Sequence, residues 1–423
     1  MSKDVEALQS VSKYFTEESL RKIVAGAENK SEQEVEILSW SFGDASNKGD
    51  SYLSTVDRVV IQGKVDGKVV ETRIVVKSLP NNIGRRKTYR SAEFFKNEIN
   101  FYVEIATTYK EFLKSKNQSS VLLLPDCLDY HLDGKEDFIA LEDVSPRGFG
   151  PSSRQNCPTY DEFVNILKAM ARFHAVSFAY KDQNREHFKT LATSLSETYF
   201  RDDLYESWYK RFHERLIEIA QDALEKECSG SKAQKRFNSY AKGELYKKSA
   251  DFCNEWHAET SVINQGDSWA PNFLVRNLPN GQIEVLMLDF QLARSASPVL
   301  DLSFLMYSCT EKPLRDQHFD NLLKIYHDEL SRVVSLLGSD PQKVYSWATF
   351  MNEVQEKFVH GMTFGLESVV FSMLSSDESF DLDVIKDDKV DIADVWTVQN
   401  IKTSENRKRL TDVISHAFEK GYL

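Results

Sequence analysis

Asp267, Asn272 and Asp289 are the residues whose types and spacing could do chemistry together. They stand in Gln265-Gly266-Asp267-Ser268-Trp269-Ala270-Pro271-Asn272 and in Leu288-Asp289-Phe290-Gln291. Between them, Asn272 to Asn277 and Ile283 to Leu288 flank the turn signal Pro279-Asn280-Gly281, which predicts a β-hairpin. A hairpin folds the chain back, so residues far apart in sequence can converge on one ion. Phosphoryl transfer needs one carboxylate facing the attacking hydroxyl. It also needs an amide oxygen and a second carboxylate to hold Mg²⁺ against the phosphates of ATP. The spacing assigns Asp267 as catalytic base, and Asn272 and Asp289 as metal ligands. Any one of the three alone would read as a turn or cap residue; the set, with a hairpin inside it, favours function.

Other residues fit the same chemistry. Lys77 ends the β-branched run Arg73-Ile74-Val75-Val76-Lys77, and Glu98 lies in a helical pattern that follows. A strand lysine paired to a helix glutamate positions the α- and β-phosphates; the alternative is two solvated charges. Ser46, Asn47, Lys48 and Gly49 belong to a small, polar segment before a strand, and could direct backbone N–H groups at the phosphates. That segment does not match G-x-G-x-x-G, and an ordinary turn is the alternative. No Walker A sequence is present. Glu142, Asp143 and Val144 follow an apolar strand and precede the helical half, where a hinge presenting backbone groups to adenine should fall. His174, on an apolar helix, reads as a satisfied core residue. Asp301 reads as a helix cap that could also brace the loop at 265–272.

The elements that must position these residues come in two blocks. Val56 to Lys64 and Val69 to Lys77 flank Asp66-Gly67, a two-residue hairpin signal. Val121 to Leu124 and Phe138 to Leu141 read as further strands, and Phe94 to Tyr109 as a helix. An opening helix over 5–27 and a charged linker precede them. After Pro151 the pattern turns helical, notably at Tyr160 to Tyr180, Tyr199 to Leu224, Ala233 to Trp256 and from Leu300 onward. The reading is an α+β, bilobal protein-kinase-like fold. Residues 1–144 form a β-rich N-terminal lobe; 145–423 form a larger, mostly helical lobe holding the catalytic loop and an acceptor pocket. The aromatic stripe Tyr199, Phe200, Tyr205, Trp208, Tyr209 and Phe212 reads as core more readily than as pocket. The acid-rich stretch 375–394 reads as a solvated loop.

Composition narrows the partners. The 423-residue chain carries a formal net charge of −12, which disfavours nucleic acid and anionic membranes as partners. Five dispersed cysteines suggest free thiols in a reducing compartment. The opening residues lack an apolar signal region, and no run of roughly 18 apolar residues occurs. A cytoplasmic monomer without a membrane span is the expectation.

These stretches resemble the ecdysteroid kinase-like family, within the choline kinase and aminoglycoside phosphotransferase group. The similarity rests on KGDSYLS (Lys48 to Ser54), VVKSLP (Val75 to Pro80), FFKNEINFY (Phe94 to Tyr102), LEDV (Leu141 to Val144), MARFHAVSFA (Met170 to Ala179), QGDSWAPNFL (Gln265 to Leu274) and LDFQLARSASPVLDLSFLMY (Leu288 to Tyr307). The resemblance implies ATP-dependent O-phosphorylation of a hydroxylated small molecule, an ecdysteroid or similar hydrophobic alcohol. Choline-, aminoglycoside- or xenobiotic-directed kinases are the alternatives, as is a pseudokinase-like steroid-binding module. One position departs from the pattern. The family usually places His before Gly-Asp, where this chain has Gln265; Gln still donates and accepts hydrogen bonds, so catalysis is expected to survive, at a reduced rate.

Overall fold

The computed structural model describes residues 3–44, 53–152, 156–374, 380 and 382–423. Ser46, Asn47, Lys48 and Gly49 lie outside the described residues. The architecture is α+β, with an antiparallel sheet in the N-terminal region and a larger helical C-terminal part. The chain forms two compact units. The first comprises Met1–Val103, Pro125–Gly148 and Ser376–Val395; the second comprises Glu104–Leu124, Phe149–Ser375 and Trp396–Leu423. The sequence reading had instead divided the chain once, at residue 144.

In the first unit, strands β1 (Val35–Asp44), β2 (Thr55–Val65), β3 (Lys68–Ser78), β4 (Cys127–His131) and β5 (Phe138–Glu142) form one antiparallel sheet in the order β1-β2-β3-β5-β4. Asp66 and Gly67 close the β2–β3 hairpin with φ of 49° and 77°. Two positive φ values are what a tight hairpin turn following the sheet's twist demands. Alternate residues of the central strands, Val59 and Ile61 in β2 and Ile74 and Val76 in β3, are buried with Leu20, Ile23 and Val24. Those three belong to α2 (Glu17–Glu28). The expected helix over 5–27 is therefore two: α1 (Val5–Val11) stops, buried Phe15 joins the core, and a capping box of Thr16 and Ser19 starts α2. The expected charged linker contains β1, and Val121 to Leu124 is not a strand; Cys127–His131 pairs with β5 instead.

Helices α3 (Ile83–Tyr89) and α4 (Ser91–Asn100) follow β3, and a wider helical turn at Phe101–Ala106 leads on to α5 (Thr107–Ser115) of the second unit. The first unit also seats a segment from late in the chain. Asn82 Nδ2 donates to Ile385 O at 2.9 Å, and Val390 N–H donates to Thr88 Oγ1 at 3.1 Å. Gly84 lies so close that a Cβ there would meet Lys386 O at 2.1 Å. Phe380, Ile385, Ile392 and Val395 are buried, the last two in α17 (Ile392–Val395). The acid-rich stretch is thus not a solvated loop throughout; Phe380, Ile385 and Ile392 within it are packed, while Val384 is exposed.

The second unit is helical around two short sheets. Strand β6 (Gly150–Pro151) pairs with β8 (Phe273–Asn277), which pairs with β9 (Ile283–Met287); β7 (Val262–Asn264) pairs with β10 (Arg294–Ala296). Helix α6 (Tyr160–Gln183) begins at a Thr159–Glu162 capping box and packs on α5, where Tyr109 Oη donates to Ser177 Oγ at 2.8 Å. Helix α7 (Arg185–Ser194) follows α6, and the expected 199–224 helix divides into α8 (Asp202–Leu204), a wide turn at Tyr205–Tyr209 and α9 (Lys210–Cys228). The expected 233–256 helix divides into α10 (Lys232–Phe237) and α11 (Glu244–Cys253), separated at Gly243, whose φ is 76°. Then come α12 (Pro298–Cys309), α13 (Lys312–Leu336), α14 (Pro341–Val344), α15 (Trp347–Lys357), α16 (Val359–Ser372) and α18 (Ser404–Glu419). Among the described residues, no helix is long and apolar enough to cross a membrane.

Candidate active site

In the first unit, β3 and α4 bring Lys77 and Glu98 together. Lys77 Nζ donates to Glu98 Oε1 at 2.7 Å, and both side chains are largely buried. A buried ion pair is a costly element to keep for stability alone. At the end of β5 the expected hinge has definite commitments. Glu142 N–H donates to Asp126 O at 2.9 Å and Asp143 N–H to Arg73 O at 3.2 Å. The Asp143 carboxylate accepts from Ser145 N–H and stands 3.2 Å from Arg58 Nε, while Glu142 pairs with Arg147. Val144 is buried.

In the second unit, the hairpin brings Asp267, Asn272 and Asp289 into one neighbourhood. Phe273 pairs with Met287, and the ladder runs one step further: Leu288 N–H donates to Asn272 O at 2.9 Å. Asp289 therefore follows immediately after the residue opposite Asn272. Its φ of 57° is left-handed, a conformation that Asp tolerates at modest cost and that turns the chain sharply off the strand. Asn272 Nδ2 donates both to Asp267 O and to Asp267 Oδ2, each at 2.9 Å.

The loop is braced from beneath. Asp301 Oδ2 accepts from Gln265 N–H at 2.7 Å and Oδ1 from Gly266 N–H at 3.0 Å. Of the two readings of Asp301, bracing is the observed one, since Ser297 caps α12. His174 is fully buried in the core, with Nε2 3.2 Å from Asp301 Oδ2 and Nδ1 2.7 Å from Tyr326 Oη. Burial alone would push the Asp301 carboxyl up. The hydrogen bond and charge of His174, the Arg294 guanidinium and the Gln265 N–H outweigh it and hold the group below its ordinary range. Gly266, at φ 86°, packs where a Cβ would lie 2.0 Å from Leu292 O. Gln265 is itself a tie: its Nε2 donates to Leu288 O at 2.6 Å, and its Oε1 accepts from Ser268 Oγ at 2.9 Å. One side chain thus joins the 265–272 loop to the strand end that carries Asp289.

Sequence reasoning missed Arg294. On β10 it pairs with Asn264, just before the loop, and only 2% of it is exposed. Its Nη1 stands 3.4 Å from Glu197 Oε2 and its Nη2 3.4 Å from His360 Nε2. Burial works against its charge, but Cys253, Glu197, Asp301 and Asp267 more than offset that and raise its pKa. The signal available was a lone arginine in the otherwise apolar run Leu292-Ala293-Arg294. The aromatic stripe is mainly core: Tyr199, Phe200, Trp208, Tyr209 and Phe212 are buried, and the Tyr199 and Tyr209 hydroxyls donate to Glu367.

A strand lysine on a helix glutamate, and an Asp–Asn–Asp set on a loop and hairpin, are parts that phosphoryl-transfer enzymes use. The chain belongs to the ecdysteroid kinase-like family, whose model matches residues 48–339. No curated protein matches it by sequence. Among solved structures it is similar to an ethanolamine kinase of Plasmodium vivax, at 11% identity and a TM-score of 0.39 over 96% of this chain and 89% of that one. It is also similar to the GDP complex of aminoglycoside 2'-phosphotransferase-IIIa (14%, 0.38, 94% and 98%) and to a microcompartment-associated aminopropanol kinase (10%, 0.37, 95% and 98%).

Proposed function

We propose that this protein is an ATP- and Mg²⁺-dependent kinase that transfers a γ-phosphate to a hydroxyl of a small molecule, with an ecdysteroid-like neutral alcohol as the favoured acceptor class. The observation that carries the reading is the hydrogen-bonded tie of Asn272 to Asp267, with Asn272 paired across the hairpin to the residue before Asp289. The acceptor class rests on family membership.

In this reading Asp267 accepts the proton of the attacking hydroxyl. Its carboxylate is held in place by the Asn272 amide, so it is oriented before substrate arrives. Because Asn272 Nδ2 is directed at Asp267, the amide oxygen is its atom for a cation. That oxygen and the Asp289 carboxylate make a hard-oxygen pair, and Mg²⁺ is commonly held by one or two such protein groups plus phosphates and water. When bound, Mg²⁺ would neutralise charge on the phosphates. Lys77, held by Glu98, would contact the α- and β-phosphates. Since the Glu142 and Asp143 N–H groups are already committed, the adenine contact in that segment falls to the N–H of Val144. Ser46, Asn47, Lys48 and Gly49 remain the proposed phosphate loop. Five free cysteines suit a reducing compartment such as the cytoplasm.

Asp267→Asn tests the assignment. Turnover of ATP with a hydroxylated acceptor should fall roughly 10²- to 10⁴-fold, the range for removing a general base, while thermal stabilisation by ATP and Mg²⁺ persists. Undiminished turnover would remove Asp267 from its role. No stabilisation of the parent chain by ATP and Mg²⁺ would favour a steroid-holding module instead.

A further inference from the structure

Residues 382–395 return to the first unit from late in the chain and dock on α3 through backbone groups. Ile385 O accepts from Asn82 Nδ2 at 2.9 Å, and Val390 N–H donates to Thr88 Oγ1 at 3.1 Å. Between these two ties, a Cβ on Gly84 would lie 2.1 Å from Lys386 O and 2.8 Å from Asp388 O, so glycine alone lets the two backbones meet. Ile385 and Ile392 are buried, while Asp387, Asp388 and Lys389 are exposed. The stretch is a strap across one helix, anchored by its backbone and by aliphatic side chains, with its charges in solvent.

Helix α3 is also the piece of chain that joins the two members of the buried ion pair. Strand β3 ends one residue after Lys77, α3 follows, and α4 carries Glu98. Arg90, at φ 55°, is at once the last cap of α3 and the first cap of α4, so no loop separates the two helices and a shift of α3 carries α4 with it. A further tie leads to the nucleotide loop. Arg85 Nη2 donates to Ser54 O at 3.1 Å, and Ser54 stands between the proposed phosphate loop and β2. All of these residues belong to the first unit. The strap docks on the helix that connects them.

We propose that residues 382–395 position the nucleotide site: docked, the strap fixes α3 so that Lys77, Glu98 and the chain at Ser54 are arranged for ATP; released, it leaves a chain that folds but binds ATP more weakly. The inference rests on the kinase reading and adds a distant segment that tunes ATP affinity through α3. Such coupling is reciprocal, so ATP must favour docking by the same factor that docking favours ATP. Hydrogen exchange read by mass spectrometry on the full-length chain measures docking, with and without ATP and Mg²⁺, in the parent, Asn82→Asp and Gly84→Ala. Asp caps a helix as well as Asn does, so Asn82→Asp keeps the acceptor for Arg85 N–H and loses the donor to Ile385 O. Saturating ATP and Mg²⁺ should slow exchange across 382–395 of the parent at least about fivefold, the scale of one hydrogen bond. Each variant should speed that exchange and raise the Kd for ATP by at least about the same factor, with kcat little changed. A strap that served stability alone would lower the melting temperature of the variants and leave their Kd for ATP as it was. Strap exchange indifferent to bound ATP, exchange unchanged in both variants, or a variant that frees the strap at unaltered ATP affinity would overturn the proposal. A parent chain that ATP and Mg²⁺ do not stabilise at all would instead overturn the kinase reading, and this inference with it.

Discussion

Glu367 shows how one buried group can set a pH dependence for the helical unit. Burial pushes its carboxyl up to about 7, against the pull of hydrogen bonds from Tyr209 and Tyr199. The folded state therefore holds this proton more tightly than the unfolded chain. Its contribution to stability is complete below the ordinary glutamate range, declines as pH rises toward about 7, and stays lost above it. The parent chain should melt at a lower temperature at pH 8 than at pH 5, and Glu367→Gln should flatten that part of the profile in a thermal scan. Gln265 makes a second prediction. Replacing it with Leu keeps the volume but strands Leu288 O and Ser268 Oγ, at a cost of about 1–3 kcal/mol. Denaturant titration should register that loss, and turnover should fall more than ATP affinity. That Lys77 would meet Glu98, and Asn272 meet Asp267, was legible in the sequence because each pair stands in a run whose residue types and order of elements point to it. The tie from Gln265 to Leu288 and the placement of Arg294 were not, because the first ends on a backbone carbonyl that carries no residue-type signal and the second meets Glu197, 97 residues away along the chain.

Elements divide the same way. Hairpins announced by Asp66-Gly67 and Pro279-Asn280-Gly281 formed where turn chemistry said they would, since a positive φ is a local demand. Strand β1 escaped notice because its serines, Ser39 and Ser41, and the irregular register between Ile37 and Ser39 blur the alternation. Helix breaks near residues 12–16 and 238–243 depend on what the flanking turns pack against. Packing between elements gives a paired test. A Cβ at Gly361 of α16 would lie 2.1 Å from the backbone of Ser303 in α12, and backbone cannot swing aside. Gly361→Ala should destabilise by at least about 2 kcal/mol. Gly26 of α2 has nothing within 4 Å of the same position, and Gly26→Ala should stabilise by about 0.5–1 kcal/mol. Circular dichroism melts of the two variants measure both signs against one reference.

At the scale of the whole molecule, the chain leaves or re-enters a unit after residues 103, 124, 148, 375 and 395. Reading along the sequence suggests a single boundary, because composition changes once while contacts do not follow chain order. A fragment of residues 1–148 should consequently melt lower than the same unit in the intact protein, and a peptide of residues 380–395 added in trans should raise its melting temperature. The seat of that peptide at Gly84, Asn82 and Thr88 also inverts the usual expectation about where damage shows. Asn82 and Ile385 are 303 positions apart. A protease cut within residues 382–395 would thus loosen a unit built mostly from residues before 149, the unit that holds Lys77 and Glu98.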